Sequence, residues 1–142
     1  MSVIQLAADS TTVIINGTVV NDTVAGDRIT MTPVNPATSR VVGNNQNVVI
    51  AGRVDSQLYD LVINVIKYSD SDVFLNSMLN QHVPVVIDGS IKENYFKDGE
   101  ASVSSWSLER GSITTQPTDT RNDQDGNALL AYTIQVFATR TQ

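Results

Sequence analysis

The chain has no cysteine, a single histidine, a single tryptophan and only nine basic residues among 142. Each scarcity removes a class of chemistry. Without cysteine there is no disulfide framework, no thiolate metal site and no thiol nucleophile. Stability must come from an apolar core, which a chain of this length can build, since about 150 residues bury roughly 70% of their unfolded surface. The basic residues Arg28, Arg40, Arg53, Lys67, Lys92, Lys97, Arg110, Arg121 and Arg140 are scattered, and the formal net charge is −6. Nucleic-acid binding draws on clustered Lys and Arg that neutralise phosphates, so this balance argues against a DNA-binding module and leaves room for a surface that repels DNA. The opening Met1-Ser2-Val3-Ile4-Gln5 has no basic region and no long apolar run. No signal peptide or membrane insertion is expected, and synthesis and folding in the cytoplasm are.

Catalytic, cofactor and metal motifs are equally sparse. Any histidine-based acid–base scheme must run through His82, in Asn80-Gln81-His82-Val83; a capping or surface histidine is the commoner use of that residue type. The acidic stretch 119–127 comes nearest to a calcium loop. Counting back from Gly126, however, places Arg121 among the expected oxygen ligands, and Tyr132 stands where the bidentate glutamate belongs. Asn16-Gly17-Thr18 and Asn21-Asp22-Thr23 match the glycosylation sequon, which has no meaning without secretion. Trp106 lies mid-strand between serines and Leu108, a setting that favours a core or subunit-interface anchor over a stacking platform. No catalytic residue, cofactor site or metal site is predicted.

What is present is β patterning. Residues 11–15 run into Asn16-Gly17 and out through Thr18-Val19-Val20, the strongest short-range hairpin signal, because Asn-Gly supplies both positive φ angles of a type I′ turn. A strand over 27–32 ends at Pro33, and the alternation over 47–67 predicts one long strand with Tyr59, Leu61, Ile63 and Val65 on one face. Its other face mixes Leu58, Val62 and Ile66 with Asp60 and Asn64, so both faces look covered by different kinds of neighbour. Residues 69–80 form the one predicted helix, its apolar stripe, Phe74 with Met78 and Leu75 with Leu79, laid on the sheet. Strands are further expected over 83–87, 101–109 and 129–140, with a turn region over 92–99 and a polar hairpin loop over 119–127. In the last strand Leu130, Tyr132, Ile134 and Val136 share a face. The expectation is a single mainly β domain over 1–142, an antiparallel sandwich or barrel of about seven strands with one short helix after the long central strand. Between the early strands, 33–46 holds two prolines and few apolar residues, which reads as a long extended arm, either a mobile surface loop or a segment that orders on a partner.

The order of these elements carries a resemblance. Asp27-Arg28-Ile29-Thr30, a long arm, Gly52-Arg53-Val54, the strand through Tyr59-Asp60-Leu61-Val62-Ile63-Asn64-Val65-Ile66, and Ser69-Asp70-Ser71-Asp72-Val73-Phe74-Leu75 opening the helix together resemble the tail tube proteins of contractile-tailed bacteriophages. Ser69, Ser71, Leu75 and Leu79 match that family's Ser-rich cap and Leu-bearing stripe, whereas its glycine-rich hairpin is represented by Gly52 alone.

The resemblance implies a structural virion subunit that forms hexameric rings, stacked into an inner tail tube through which DNA is ejected. Implied partners are further copies of itself and the tail sheath, baseplate and tail terminator proteins, with DNA only as passing cargo. The implied location is the virion tail, assembled in the bacterial host cytoplasm. Edge-to-edge pairing between subunits would remove exposed strand edges, and head-to-tail contacts that close give a ring. The arm residues Val34, Asn35, Pro36, Arg40, Val41, Val42, Asn44 and Asn45 are the candidates for inter-ring or inter-subunit contact. Val73, Phe74, Leu75, Met78 and Leu79 would make the helix an outer brace. Arg28, Thr30, Thr32, Ser102 and Ser104 are the candidate lumen residues. Six copies would carry a formal charge of about −36, only part of it facing inward, which keeps an exit path from holding DNA. Two other readings stay open: the tube of a phage-tail-like bacteriocin or secretion system, and a monomeric β-sandwich carbohydrate- or ligand-binding module using Trp106 with Tyr95 or Tyr132.

Overall fold

The computed structural model describes residues 2–23, 28–120 and 129–141, excluding the side chains of Ala8 and Asp9. In chain order the elements are β1 (Ile4–Ile15), β2 (Thr18–Val20), β3 (Ile29–Pro33), β4 (Thr38–Val42), β5 (Val48–Gly52), β6 (Leu58–Ile66), α1 (Asp70–Leu79), β7 (Ile87–Lys97), β8 (Glu100–Thr115) and β9 (Leu129–Thr141). Seven strands form one sheet in the order β2-β1-β7-β8-β9-β6-β3, and β4 with β5 forms a separate two-stranded sheet. All these pairings are antiparallel. The mainly β, sandwich-like expectation with one short helix holds, but the sheet does not close into a barrel: β2 and β3 remain its two edges.

The central pairing follows from the two-residue period. Leu61 lies opposite Ile134, Ile63 opposite Tyr132 and Val65 opposite Leu130, and all six are buried. Val13, Ile15, Val20, Ile87, Ile91 and Leu108 complete this inner face from the far half of the sheet. The outer face of β6 is half covered: Leu58, Asp60, Val62 and Asn64 are half-buried and Ile66 is exposed. The Asn16-Gly17 turn has φ values of 49° and 81°, as a type I′ turn requires.

Helix α1 starts where the sequence says it should. Ser69, in extended conformation, accepts from the Asp72 N–H at 3.3 Å, and Asn80 ends the helix by donating its N–H to Asn76 O. Asp22 supplies a second cap, its carboxylate accepting from both the N–H and the hydroxyl of Ser71, and Asp70 and Asp72 place negative charge at the positive end of the helix dipole. Leu75 and Met78 enter the core, with Phe74 and Leu79 packed against it. Full burial of Leu75 alone stabilises by about 2 kcal/mol. Val73 does not join the stripe and is exposed. Beneath the first turn, the Tyr132 hydroxyl donates to Asp72 Oδ1 at 2.6 Å, while Asp72 Oδ2 accepts from the Tyr68 N–H. Burial, then the Asp72 hydrogen bond, push the Tyr132 phenol well above its ordinary range.

Four expectations are corrected. The arm over 33–46 is not without structure, because its middle, Thr38–Val42, is β4 and residues 43–46 turn into β5. The long strand over 47–67 is two strands, since the polar turn formers at Asp55-Ser56 break it within Arg53-Val54-Asp55-Ser56-Gln57, with Ser56 N–H donating to Arg53 O and Leu58 N–H to Asp55 O. The segment 92–99 is not a turn region: β7 runs through it to Lys97, and only Asp98-Gly99, with φ of 52° and 82°, makes the turn into β8. The strand expected over 83–87 begins only at Ile87. There Gly89 crosses β1 so closely that a Cβ would stand 2.0 Å from Ile14 O. The parts of the expected strand at Asp27 and of the acidic loop at 121–127 lie outside the described residues.

Candidate functional site

The most distinctive surface is the β4–β5 hairpin. Its strands read Thr-Ser-Arg-Val-Val and Val-Val-Ile-Ala-Gly, rich in the β-branched residues that suit a pleated surface. Val42 pairs with Val48, Val41 with Val49 and Arg40 with Ile50. The turn between them closes by Gln46 N–H donating to Gly43 O at 3.0 Å and Gly43 N–H to Asn47 O at 2.8 Å. Gln46 sits at φ 65°, the left-handed position that a three-residue hairpin loop ordinarily gives to glycine. By strand alternation Arg40, Val42, Val48 and Ile50 share one face, and Ser39, Val41, Val49 and Ala51 the other.

Every residue of both strands is exposed, with Val41, Val49 and Ile50 at 66%, 64% and 63%. An isolated two-stranded hairpin is at best marginally stable in water, and this one shows apolar side chains on both faces. It is held at its root alone. Val34 N–H donates to Leu58 O, Arg53 N–H to Ala37 O and the Asn35 amide to Asp55 O. Arg53 forks onto Asp55, Nε to Oδ1 and Nη2 to Oδ2, both at 3.0 Å. That hydrogen bond holds the Asp55 carboxyl below its ordinary range, and its counterpart raises Arg53.

The second surface is the outer face of the main sheet. Ser90 pairs with Ser107, Lys92 with Ser105, Asp60 with Gln135 and Val62 with Thr133. The Gln135 amide donates to Asp60 Oδ1 at 3.2 Å across the strands. Small hydroxyl and amide side chains recur on it, beside apolar pairs such as Leu58 with Phe137 and Phe96 with Ala101. Thr30 and Thr32 belong to this face, opposite Val62 and Asp60. Ser102 and Ser104 belong to the inner face, opposite Tyr95 and Glu93. Arg28 donates from Nη2 to Thr11 O. The five residues grouped as lumen candidates are therefore not brought together on one face.

Between β1 and β3 the inner face opens into a cleft of about 480 Å³, lined by Leu6, Ala7, Ser10, Thr11, Arg28, Ile29, Met31, Ile91, Glu93 and Trp106. Trp106 packs edge-on against Tyr59, centroids 5.2 Å apart. Tyr132 is 1% exposed and cannot join an aromatic platform. Beside the cleft the pairing of β1 with β7 is interrupted between Leu6 and Thr11, a break that no sequence signal announces. His82 stands exposed after α1, and among the described residues no acidic, histidine or cysteine side chains cluster as metal ligands. No described helix is long and apolar enough to cross a membrane.

No protein-family model matches the chain, and no curated protein matches it. Among solved structures it is similar to a chain of the sheath-tube complex of an extracellular contractile injection system, the PVC system, in its extended state. The TM-score is 0.60 at 10% identity, over 96% of this chain and 90% of that one. The likeness is one of fold.

Proposed function

We propose that the protein is the subunit of a contractile bacteriophage tail tube, built as stacked hexameric rings that DNA traverses on ejection. The observation that carries this reading is the end-to-end fold likeness to a component of a contractile sheath-tube complex. The exposed hairpin supports it, because an apolar arm with no cover from its own chain suits a subunit that is finished only by assembly. In this role the outer face of the main sheet lines the lumen, its serines, threonines and amides giving a wall without the cation clusters that would retain phosphates. The hairpin bridges successive rings, and α1 braces the sheet from its inner side. Sheath, baseplate and terminator proteins are the expected partners, the virion tail after assembly in the host cytoplasm is the location, and catalysis plays no part.

A second reading, the tube of an injection system or phage-tail-like bacteriocin, is favoured by the matched complex being an injection system. Capsid and terminase genes beside this one would select the virus.

Electron microscopy of the purified protein across concentration tests the proposal: rings or tubes with a central channel are expected, and a strictly monomeric species at high concentration would overturn it. Replacing 38–52 by a short glycine linker is geometrically simple, as Ala37 and Arg53 are already hydrogen-bonded. That variant should keep its fold and form rings that no longer stack. Long tubes from it would remove the hairpin from its role.

A further inference from the structure

Resting on the tube reading, we propose that the β4–β5 hairpin of one copy seats in the β1–β3 cleft of a second copy in the adjoining ring. Both halves of this contact are incomplete in the single chain. The hairpin carries valine and isoleucine on two exposed faces. The cleft presents Leu6, Ile29, Met31, Ile91 and Trp106 around open space, on the inner face that α1 leaves uncovered.

Backbone groups match as well as side chains. β3 pairs only with β6, so its other edge lacks a strand partner among the described residues. β1 pairs with β2 only at Val13, Ile14 and Ile15, which leaves the edge of its first half open on the same side of the cleft. A two-stranded ribbon of five-residue strands brings two free edges of its own and is the right unit to lie between them.

Charge fixes the choice of occupant. Over 38–52 the hairpin has one charged residue, Arg40, on the face that also bears Val42, Val48 and Ile50. Among the described residues the cleft is lined by one acid, Glu93, whose carboxylate accepts the Thr11 hydroxyl at 3.2 Å, and by one cation, Arg28. The nearby cations do not satisfy it: Arg28 is turned to the Thr11 carbonyl, and neither it nor Arg140 in the adjoining recess makes an ion pair with Glu93. Arg40 supplies that missing charge, and Trp106 beneath it is the type of half-buried aromatic that anchors interfaces.

Since the chain contains no cysteine, a cross-link between two singly substituted populations can arise only between copies. Mixing the Arg40→Cys chain with the Glu93→Cys chain under mild oxidation should give a disulfide-linked pair. The Lys92→Cys chain, one residue away on the opposite sheet face, should not pair with it. Separately, Arg40→Glu and Glu93→Arg should each weaken assembly on the order of tenfold, and the double exchange should restore it. Tubes that form with no 40–93 cross-link, cross-linking of 40 to 92 or chiefly to itself, or a double exchange that fails to recover, would overturn this seat while leaving the tube reading intact. A protein that stays monomeric at every concentration would overturn both.

Discussion

Helix α1 and the β4–β5 hairpin are of similar size, ten helical residues against ten strand residues, and neither type of element is stable alone in water. The chain finishes one and leaves the other unfinished. α1 keeps its apolar residues on one stripe, and the inner sheet face accepts that stripe, burying Leu75 completely and bonding Asp72 to Tyr132. The hairpin spreads its valines over two faces, and both stand exposed, with nothing among the described residues laid on either. Similar apolar content thus gives stability in one place and an adhesive surface in the other, according to whether a complementary face lies within the same chain.

The contrast is sharpest in truncation. Leu75→Ala should cost about 2–5 kcal/mol of unfolding free energy in a denaturant titration. Val49→Ala, in the hairpin, should change the same quantity by less than about 0.5 kcal/mol while raising the concentration needed for assembly. Comparable losses of monomer stability from both would mean that the hairpin is part of the folded core. Next in size is Tyr132→Phe, which leaves Asp72 Oδ1 buried without its donor and should cost about 1–3 kcal/mol. The same phenol adds a pH effect. Its folded pKa is raised, so its contribution is fully present below the unfolded value of about 10 and is lost as pH rises beyond it, an alkaline weakening that the Phe variant should lack.

Smaller effects belong to the hairpin. Gln46→Gly removes the left-handed penalty and should stabilise the hairpin by about 1 kcal/mol, read as slower hydrogen exchange of its amides with no change in the exchange of β6 and β9. The smallest is the acid response of the hairpin root. Asp55 has a lowered folded pKa, so the Arg53–Asp55 fork contributes above the ordinary carboxylate value of about 3.9 and is lost as pH falls through the lower folded value. Amide shifts over 53–58 should move in that window and should be flat in Asp55→Asn.

Legibility followed the range of the physics involved. The Asn16-Gly17 turn, the Ser69 cap and the alternation of β9 depend on residues a few positions apart, and each was legible. Asp98-Gly99 carries the same turn signal as Asn16-Gly17, but the polar run Lys92-Glu93-Asn94 hides it until Tyr95 is seen opposite Leu6 and Ser102. The five turn residues 53–57 pass for strand because they lie between two β-patterned runs and include Val54, a β-branched side chain that the structure leaves fully exposed. The placement of Thr30 and Thr32 on one face and Ser102 and Ser104 on the other was illegible, since the relation between distant strands depends on sheet order.

By itself the sequence determined the mainly β class, the helix with its cap, the inner stripes of β6 and β9, and the absence of thiol chemistry. These follow from two-residue and 3.6-residue periods and from local backbone preference, which act along the chain. Only the tertiary structure decided that the arm becomes a hairpin standing clear of the sheet, that β1 and β3 leave a cleft between them, and that Glu93 faces it without an ion pair. Those facts depend on which surfaces meet after the chain turns back on itself, and no local period encodes that meeting.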